Sequence, residues 1–314
     1  MAKFKDSSPA VDVLGPDSMM PPAAGSVEAD AELRDRSIGD ILAELRNLSA
    51  EQVEKVLQHQ RSKGVRFGEA AVALGLASRD DVLYALAQQF HYPYAPDEQR
   101  KVSPELVMLR EPFGPRAEAF RALRSQVMMR VWAGPAGIGE RAALAVISPD
   151  SGDGKSYTAA NLAVALAQLG GGRTLLVDAN MRNPRQHEIF ALKTSNGLSS
   201  VLSGRSDSQV IQQIAGVPSL FVMPVGTTPP NPLELVERPA FNLLMRELTS
   251  KFDHVVVDTP AATHGSDAGV IAARCGAAVI VAHRHASRVA GLQELLGSMA
   301  GSALRVAGVV LNER

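Results

Sequence analysis

The chain has 314 residues, of which 46% are hydrophobic, so it is long enough for two domains with a sizeable core. Its formal net charge of −1 gives no indication of binding to nucleic acid or to an anionic membrane surface. A single cysteine, Cys275, cannot form a disulfide within the chain and fits a reducing compartment. Because neither a signal peptide nor a membrane-spanning apolar run is visible, we expect a soluble, cytoplasmic protein.

The N-terminal part of the chain is predicted to be a disordered segment followed by a small helical repeat. Residues 1–35 contain several prolines and scattered acids without hydrophobic periodicity, which is typical of disorder. Residues 36–96 contain two similar halves, and Ser49 in the first half matches Ser78 in the second. Ser49 and Gln52 have the spacing of a capping box. Each half therefore predicts a short helix, a turn and a second helix that begins at a capping serine.

This repeat resembles the small helical domain found ahead of type II secretion and pilus assembly ATPases, versions of which bind cyclic di-GMP. The resemblance implies an arginine in each half at the guanine-binding position. Here the second half has Arg66, whereas the first half has Ser37 at the equivalent position. One of the two arginines is missing, so a protein-interaction domain is favoured over cyclic di-GMP binding.

A charged helix is predicted to follow a linker. Residues 97–115 are rich in proline and charge, which is typical of a linker. In the predicted helix at residues 116–131, Glu118, Arg121 and Arg124 are spaced by three and therefore share one face. Such a face is usually a solvated stripe, and a contact between subunits is the alternative.

A phosphate-binding loop is predicted between a buried strand at residues 142–147 and a helix at residues 158–169. Its glycines would let backbone N–H groups close around phosphate oxygens at the positive end of the helix. Pro149 stands where the usual motif has its first glycine. The residues predicted to bind the nucleotide in this loop are Ser151, Gly152, Asp153, Gly154, Lys155, Ser156 and Tyr157.

Two aspartates are predicted to complete this site. Asp178 and Asp258 each end an apolar strand, and the carboxyl ends of parallel strands meet at one edge of a sheet. A carboxylate there can hold Mg²⁺ or accept a proton from an attacking hydroxyl. We therefore predict that Ser156 and both aspartates hold Mg²⁺, and that Lys155 reaches the β and γ phosphates of ATP. Lys155, Asp178 and Asp258 are the predicted catalytic residues.

Residues 116–314 resemble the cytoplasmic domain of the bacterial tyrosine kinases of polysaccharide synthesis, the BY-kinases. The matching pieces are Glu118-Ala-Phe-Arg121-Ala-Leu-Arg124, Gly152-Asp-Gly-Lys155-Ser156 with Asn161-Leu162-Ala163, residues 178–184, Asn196-Gly197-Leu198, Pro229-Pro230-Asn231-Pro232 and Asp258-Thr259-Pro260. With the helical repeat in front, the chain is similar to the EpsG type, the chain-length determinant tyrosine kinases of exopolysaccharide export.

The resemblance implies an ATP- and Mg²⁺-dependent kinase that regulates exopolysaccharide chain length with a membrane-embedded chain-length determinant protein. That partner would recruit the chain to the inner membrane. Glu118, Arg121 and Arg124 would correspond to a motif through which subunits close a homo-oligomeric ring. Asn180 departs from the family, which has a second acid at this position, and the C-terminal tyrosine cluster of the family is absent.

The predicted fold is α/β, a doubly wound, mostly parallel P-loop NTPase sheet of the MinD/ParA-like kind, preceded by the small helical domain. Strands are predicted near residues 142–147, 174–178, 219–225, 254–258, 278–282 and 304–311. At the end of the last strand, Asn312 lies where related ATPases bind the adenine edge; a simple turn residue is the alternative.

A MinD/ParA-type positioning ATPase is the alternative function. That family has a further lysine five residues before Lys155, where this chain has Asp150. A cyclic di-GMP sensor with a weak ATPase core is the third possibility. Because Tyr157 and Tyr84 are expected to be packed, and Tyr92 and Tyr94 to pack against the helical repeat, we expect little autophosphorylation.

Overall fold

The computed structural model describes residues 36–89, 102–132, 142–193, 195–205 and 209–313. The predicted disordered segment, residues 1–35, lies outside the described residues, as do Tyr92 and Tyr94. Among the helices that are described, none combines the length and the apolar character needed to cross a membrane.

The helical repeat consists of two helix pairs, as the sequence predicts. Its helices are α1 (Ile38–Leu45), α2 (Ala50–Lys63), α3 (Phe67–Ala73) and α4 (Arg79–Gln89). Ser49 and Gln52 form the predicted capping box at the start of α2, and Ser37 forms a second one at the start of α1. Ser78 and Asp81 exchange the same pair of hydrogen bonds before α4. Local side-chain chemistry thus determines where these helices begin.

The α/β domain is built on a seven-stranded sheet with the order β3-β4-β2-β5-β1-β6-β7. Its strands are β1 (Ala143–Ile147), β2 (Thr174–Asp178), β3 (Gln212–Ile214), β4 (Val217–Met223), β5 (His254–Asp258), β6 (Gly276–His283) and β7 (Arg305–Asn312). All neighbours pair in parallel except β3, which runs antiparallel to β4 at the edge. The predicted doubly wound, mostly parallel fold is confirmed. Strand β3 was missed because its short polar sequence has no apolar run.

Helices cover both faces of this sheet. They are α5 (Val107–Arg110), α6 (Pro115–Val127), a π-helix (Met128–Trp132), α7 (Lys155–Ala167), α8 (Gln186–Ile189), α9 (Leu198–Leu202), α10 (Pro232–Glu237), α11 (Pro239–Lys251), a 3₁₀ turn (Ala262–His264), α12 (Asp267–Cys275) and α13 (Val289–Ser298). Two hydrophobic cores result, one on each face, and β1 contributes alternate residues to both. This arrangement explains why β1 is apolar throughout.

The second half of the predicted linker is instead part of the α/β core. Residues 106–109 are buried against α7, and Asn161 of that helix holds them in place. Asn161 Oδ1 accepts a hydrogen bond from the backbone N–H of Met108 at 3.1 Å, and its Nδ2 donates to the carbonyl of Glu105 at 2.9 Å. The linker prediction for this part is wrong because burial of four consecutive apolar residues stabilises a packed conformation despite the prolines and charges around them.

Candidate active site

The phosphate-binding loop lies between β1 and α7, at the carboxyl edge of the sheet. Gly152 has φ +90° and Gly154 has φ +99°, which are left-handed conformations that favour glycine. Helix α7 begins directly at Lys155, three residues earlier than the apolar pattern predicts, because Gly154 caps it. A Cβ atom on Gly154 would also overlap with the Asn312 side chain, so this glycine cannot be replaced without moving that side chain.

The carboxylate of Asp153 holds the loop in shape rather than facing a ligand. It is buried and accepts hydrogen bonds from the backbone N–H of Asp150 at 2.9 Å and from Ser287 Oγ at 2.7 Å. Its backbone carbonyl accepts a bond from Asn312 Nδ2 at 2.9 Å. The loop is therefore attached both to β7 and to the segment after β6, which preorganises its N–H groups for a ligand.

The side chain of Lys155 is buried inside the loop. Its Nζ donates to Ser148 Oγ at 2.9 Å and to the carbonyl of Asp150 at 3.1 Å. Burial lowers the pKa of Lys155, and the nearby carboxylate of Asp258 opposes this effect. The ammonium group is thus positioned next to the glycines, where it can pair with an anion that enters the loop.

The two strand-end aspartates lie side by side, as the sequence predicts. Asp178 and Asp258 are register partners on the adjacent strands β2 and β5, and both are fully buried. Asp178 accepts three backbone hydrogen bonds, from Asn180 at 3.1 Å, Arg185 at 3.1 Å and Gln186 at 3.0 Å. Burial and the neighbouring Asp258 raise the pKa of Asp178 well above its ordinary value. This carboxylate is fixed by the backbone.

Asp258 is held less completely. Its Oδ2 accepts a hydrogen bond from Gln186 Nε2 at 2.8 Å, whereas its buried Oδ1 has no hydrogen-bond partner among the described residues. Burial raises the pKa of Asp258, against the opposing effects of Ser156, Gln186 and Lys155. An unsatisfied carboxylate oxygen in the interior is costly and indicates a missing cation or proton donor.

These residues fit a magnesium ion. Asp258 Oδ1 and the side-chain oxygen of Gln186 are both buried and without a hydrogen-bond partner among the described residues, and both atoms belong to groups beside Ser156. Among those residues no cluster of three or more His, Cys, Asp or Glu side chains could hold a metal alone. Mg²⁺ is usually held in this way, by one or two carboxylates together with phosphate oxygens and water.

A cavity of about 420 Å³ opens onto the loop. It is lined by Glu105, Ser151, Gly152, Gly154, Lys155, Ser156, Tyr157, Asn180, Asn183, Arg185 and Asn312. Most of the predicted nucleotide-binding residues therefore meet at one cavity. Asn180, at the position of the family's second acid, is hydrogen-bonded through its Oδ1 to the backbone N–H of Asn183 at 3.2 Å.

A second cavity of about 510 Å³ adjoins the first, and Asn312 and Tyr157 line both. Its wall is mostly apolar and includes Phe120, whose ring packs edge-on against Tyr157 at 5.5 Å between centroids. An apolar wall with one amide at its entrance suits a flat heterocyclic base. Tyr157 is buried, as the sequence predicts.

A third cavity, of about 790 Å³, lies at the amino ends of the central strands and is lined by Ala143 and Gly276 among others. Since β1 and β6 run parallel, these residues lie at the opposite edge of the sheet from the phosphate-binding loop. None of the predicted site residues lines it. Its volume alone does not make it the active site.

The three residues of the predicted subunit contact lie on α6, and all three have partners within the chain. Arg121 pairs with Glu118 and also donates to the carbonyl of Pro112. Arg124 Nη1 donates to the carbonyl of Ala165 at 3.0 Å. Glu118 is far more exposed than its partner Arg121, with 68% of its side chain accessible against 19%.

Sequence reasoning missed Gln186 and Glu105. Gln186 joins Asp258 to the backbone of Ser156, and Glu105 enters the cavity from the segment that was assigned to the linker. Neither has a motif signal, because each reaches the site through a tertiary contact.

Comparison with known proteins agrees with this geometry. Residues 144–313 match the family described as the CobQ/CobB/MinD/ParA nucleotide binding domain. The chain is 33% identical over 197 residues to the putative tyrosine-protein kinase CapB of Staphylococcus aureus, covering 63% of this chain and 84% of that protein. It is 35% identical over 175 residues to the tyrosine-protein kinase CpsD of Streptococcus agalactiae, covering 55% of this chain and 76% of that protein.

A solved structure is also similar. The kinase domain of the Escherichia coli tyrosine kinase ETK superposes with a TM-score of 0.62 and 26% identity, covering 68% of this chain and 81% of that one. These matches cover the α/β domain that carries the phosphate-binding loop and both aspartates. The chain therefore belongs to the bacterial tyrosine kinases with a CobQ/CobB/MinD/ParA nucleotide-binding domain.

Proposed function

We propose that this protein binds Mg²⁺-ATP and transfers the terminal phosphoryl group to a tyrosine hydroxyl of a partner protein. One observation carries the proposal: Lys155 and Ser156 line the same cavity, next to the buried and neighbouring carboxylates of Asp178 and Asp258. A phosphoryl-transfer site needs this combination of anion-binding backbone, cation and metal-binding carboxylates. Tyrosine-protein kinase is also the description of the relatives CapB and CpsD.

The chain's own residues would contribute by position and charge. Backbone N–H groups around Gly152 and Gly154 would bind phosphate oxygens, and Lys155 would neutralise charge between the β and γ phosphates. Ser156 would bind Mg²⁺ directly and Asp258 would hold the ion through a water molecule, with Asp178 beside them. The ion would neutralise charge that develops on the transferred group. Asn312 and the apolar cavity beside Tyr157 would accommodate the base.

Asp258 is better suited than Asp178 to accept the proton of the attacking hydroxyl. Its Oδ1 is free of hydrogen bonds among the described residues, whereas both oxygens of Asp178 accept backbone N–H groups. Asn180, a neutral amide, cannot take this role.

We expect the purified chain to label itself weakly and to phosphorylate an added substrate. Tyr157 is buried against Phe120 and Tyr84 is half-buried, so neither hydroxyl is presented to a neighbouring active site. Incubation with radiolabelled Mg²⁺-ATP, with and without a synthetic tyrosine-containing polypeptide, measures both outcomes. The Lys155→Met variant provides the background. Strong label on the chain alone, lost in a Tyr92→Phe, Tyr94→Phe variant, would contradict this expectation.

The resemblance to the EpsG type supports a role in exopolysaccharide chain length and export, together with a membrane-embedded chain-length determinant protein that recruits this cytoplasmic chain. The helical repeat would then serve protein interaction. Ser37 stands at one of the two guanine-binding positions, and its hydroxyl caps α1 instead of supplying a cation. Titration of the full chain with cyclic di-GMP tests the alternative, and binding would assign the repeat to sensing.

We also propose that Glu118, Arg121 and Arg124 join subunits in a ring. Arg121 and Arg124 hold α6 within the chain, so their removal would confuse folding with assembly. Glu118→Lys is the sharper variant because this side chain is mostly exposed and, among the described residues, forms an ion pair only with Arg121. Each exposed pair is worth only about 0–1 kcal/mol, so a ring depends on repeated contacts.

We expect light scattering to show that the wild-type protein forms an oligomer. In Glu118→Lys the dissociation constant of this oligomer should rise at least a few-fold, which shifts the protein towards the monomer. Glu234→Lys is a matched control, since Glu234 is also exposed but lies on α10. Identical masses for wild type and Glu118→Lys, with and without Mg²⁺-ATP, would exclude this face as the subunit contact.

A further inference from the structure

An arginine that no sequence motif identified borders the phosphate cavity. The backbone N–H of Arg185 donates to Asp178 Oδ2 at 3.1 Å, so the main chain of this residue is attached to one of the strand-end aspartates. Arg185 lines the cavity together with Lys155 and Ser156, and 41% of its side chain is exposed. Arg185 is therefore anchored at its backbone and open to the cavity at its side chain.

The guanidinium pairs with two carboxylates from outside the P-loop motif, that of Glu105 and, at 3.8 Å, that of Glu188 on α8. Arg185 Nη2 donates to Glu105 Oε2 at 3.2 Å. The Glu105 side chain is only 13% exposed, and its backbone is held on both sides. Its N–H donates to Ser103 Oγ at 3.2 Å, and its carbonyl accepts from Asn161 at 2.9 Å. Helix α7 thus fixes the position of Glu105, and Glu105 in turn positions Arg185.

The charges around the cavity indicate that Arg185 and Glu105 influence which anionic ligand binds there. Among the described residues that line it, Lys155 and Arg185 are the cations and Glu105 is the anion. Lys155 lies inside the loop, whereas Arg185 lies on the side of Asp178, where the terminal phosphate and the acceptor would meet. A planar guanidinium can bind two oxygens of one phosphate in a fixed bidentate geometry, whereas the ammonium group of Lys155 acts as a point charge.

We infer that Arg185, positioned by Glu105, binds the terminal phosphate and makes the site select nucleoside triphosphate over diphosphate. The inference rests on the proposed function, since it assumes that phosphates occupy this cavity. Without a ligand the carboxylate of Glu105 neutralises the guanidinium. When a triphosphate enters, its terminal phosphate competes with Glu105 for the same N–H donors, so the ion pair is exchanged for a phosphate contact.

A purely structural role is the alternative, in which the ion pair only holds residues 102–110 against the domain. The two roles differ in what they change. Loss of a phosphate contact lowers triphosphate affinity selectively, whereas loss of a structural contact lowers the melting temperature and leaves the preference between nucleotides unchanged. The ratio of the two nucleotide affinities is therefore the decisive measurement.

Calorimetric titration of the full-length protein with Mg²⁺ and either a non-hydrolysable ATP analogue or ADP measures this ratio. We expect Arg185→Ala to weaken the ATP analogue about ten-fold and ADP less than about two-fold, as expected for one charge-assisted contact. Arg185→Lys keeps the charge and should recover part of the loss. Glu105→Gln removes a carboxylate from the cavity and should tighten the ATP analogue about two-fold or more.

Arg173→Ala is the matched control. Arg173 precedes β2, whose other end carries Asp178, and its guanidinium packs over Phe252 at 5.4 Å. This variant loses the same charge far from the cavity, so we expect an unchanged nucleotide ratio. If wild type binds neither nucleotide, the proposed function fails. If wild type binds both and Arg185→Ala preserves their ratio, only the role of Arg185 is overturned.

Discussion

Replacing Lys155 with Met should abolish nucleotide-dependent activity while leaving the fold intact. Met keeps the length of the side chain but removes the ammonium group that donates to Ser148 Oγ and the Asp150 carbonyl. Ser148 Oγ still donates to that carbonyl at 2.7 Å, so the loop keeps one of its internal bonds. Two charge-assisted contacts to phosphate oxygens are worth about 1.5–3 kcal/mol each, so we expect ATP affinity to fall about 100-fold or more.

Calorimetric titration with Mg²⁺-ATP and a phosphate-release assay measure the two consequences of Lys155→Met. Lys251→Met is a suitable control because this lysine pairs with Glu247 on α11, away from the loop. The control should bind and turn over ATP like wild type. Unchanged affinity and turnover in Lys155→Met would show that the loop does not bind the phosphates.

Replacing Asp258 with Asn should abolish phosphoryl transfer and, without Mg²⁺ and nucleotide, raise thermal stability. Asp178 and Asp258 are buried side by side, so negative charges on the two carboxylates repel each other, and Asp258 Oδ1 has no hydrogen-bond partner among the described residues. An amide removes one charge and still accepts the bond from Gln186. Relief of an unsatisfied buried group is worth about 1–3 kcal/mol, and each kcal/mol raises the melting temperature by about 2–4 °C at this domain size.

The pH dependence of the free energy of unfolding tests the predicted effect of Asp258→Asn independently. Burial raises the folded-state pKa of Asp258 above its ordinary value of 3.8, so the native state holds its proton to higher pH than the unfolded chain. The free energy of unfolding of the wild type therefore decreases as pH rises through the interval above 3.8, until the native carboxylate has ionised. Asp258→Asn should flatten this decrease, leaving the part that comes from Asp178.

Melting curves recorded in a chelator at several pH values from about 4 upwards would measure this effect, since the decrease begins above the ordinary pKa. Asp267→Asn is a control for which we expect the opposite change in melting temperature. Asp267 is also buried but is paired with Arg182 at 2.9 Å, so its neutralisation leaves a cation without its partner and should lower the melting temperature. A lower melting temperature for Asp258→Asn at about pH 7.5 would mean that its charge stabilises the unliganded fold.

Local patterns were sufficient for the architecture and for most of the site. The continuous apolar runs before Asp178 and Asp258, and the glycine-rich turn before Lys155, predict buried strands and a phosphate loop because each depends on backbone geometry and burial over a few residues. The same holds for the capping serine Ser49, whose partner Gln52 is three residues away. The meeting of the two aspartates at one edge of the sheet followed from the parallel topology alone.

Tertiary structure decided the groups that complete the site. Glu105 reaches the cavity because residues 106–109 bury against α7, and Gln186 reaches Asp258 because the chain turns back after β2. These contacts join residues 56 and 72 positions apart, so no local period or spacing records them. The amino-acid sequence by itself thus determined the sheet, the loop and the paired aspartates. Only the folded chain determined which polar groups surround them, since that depends on packing between distant segments.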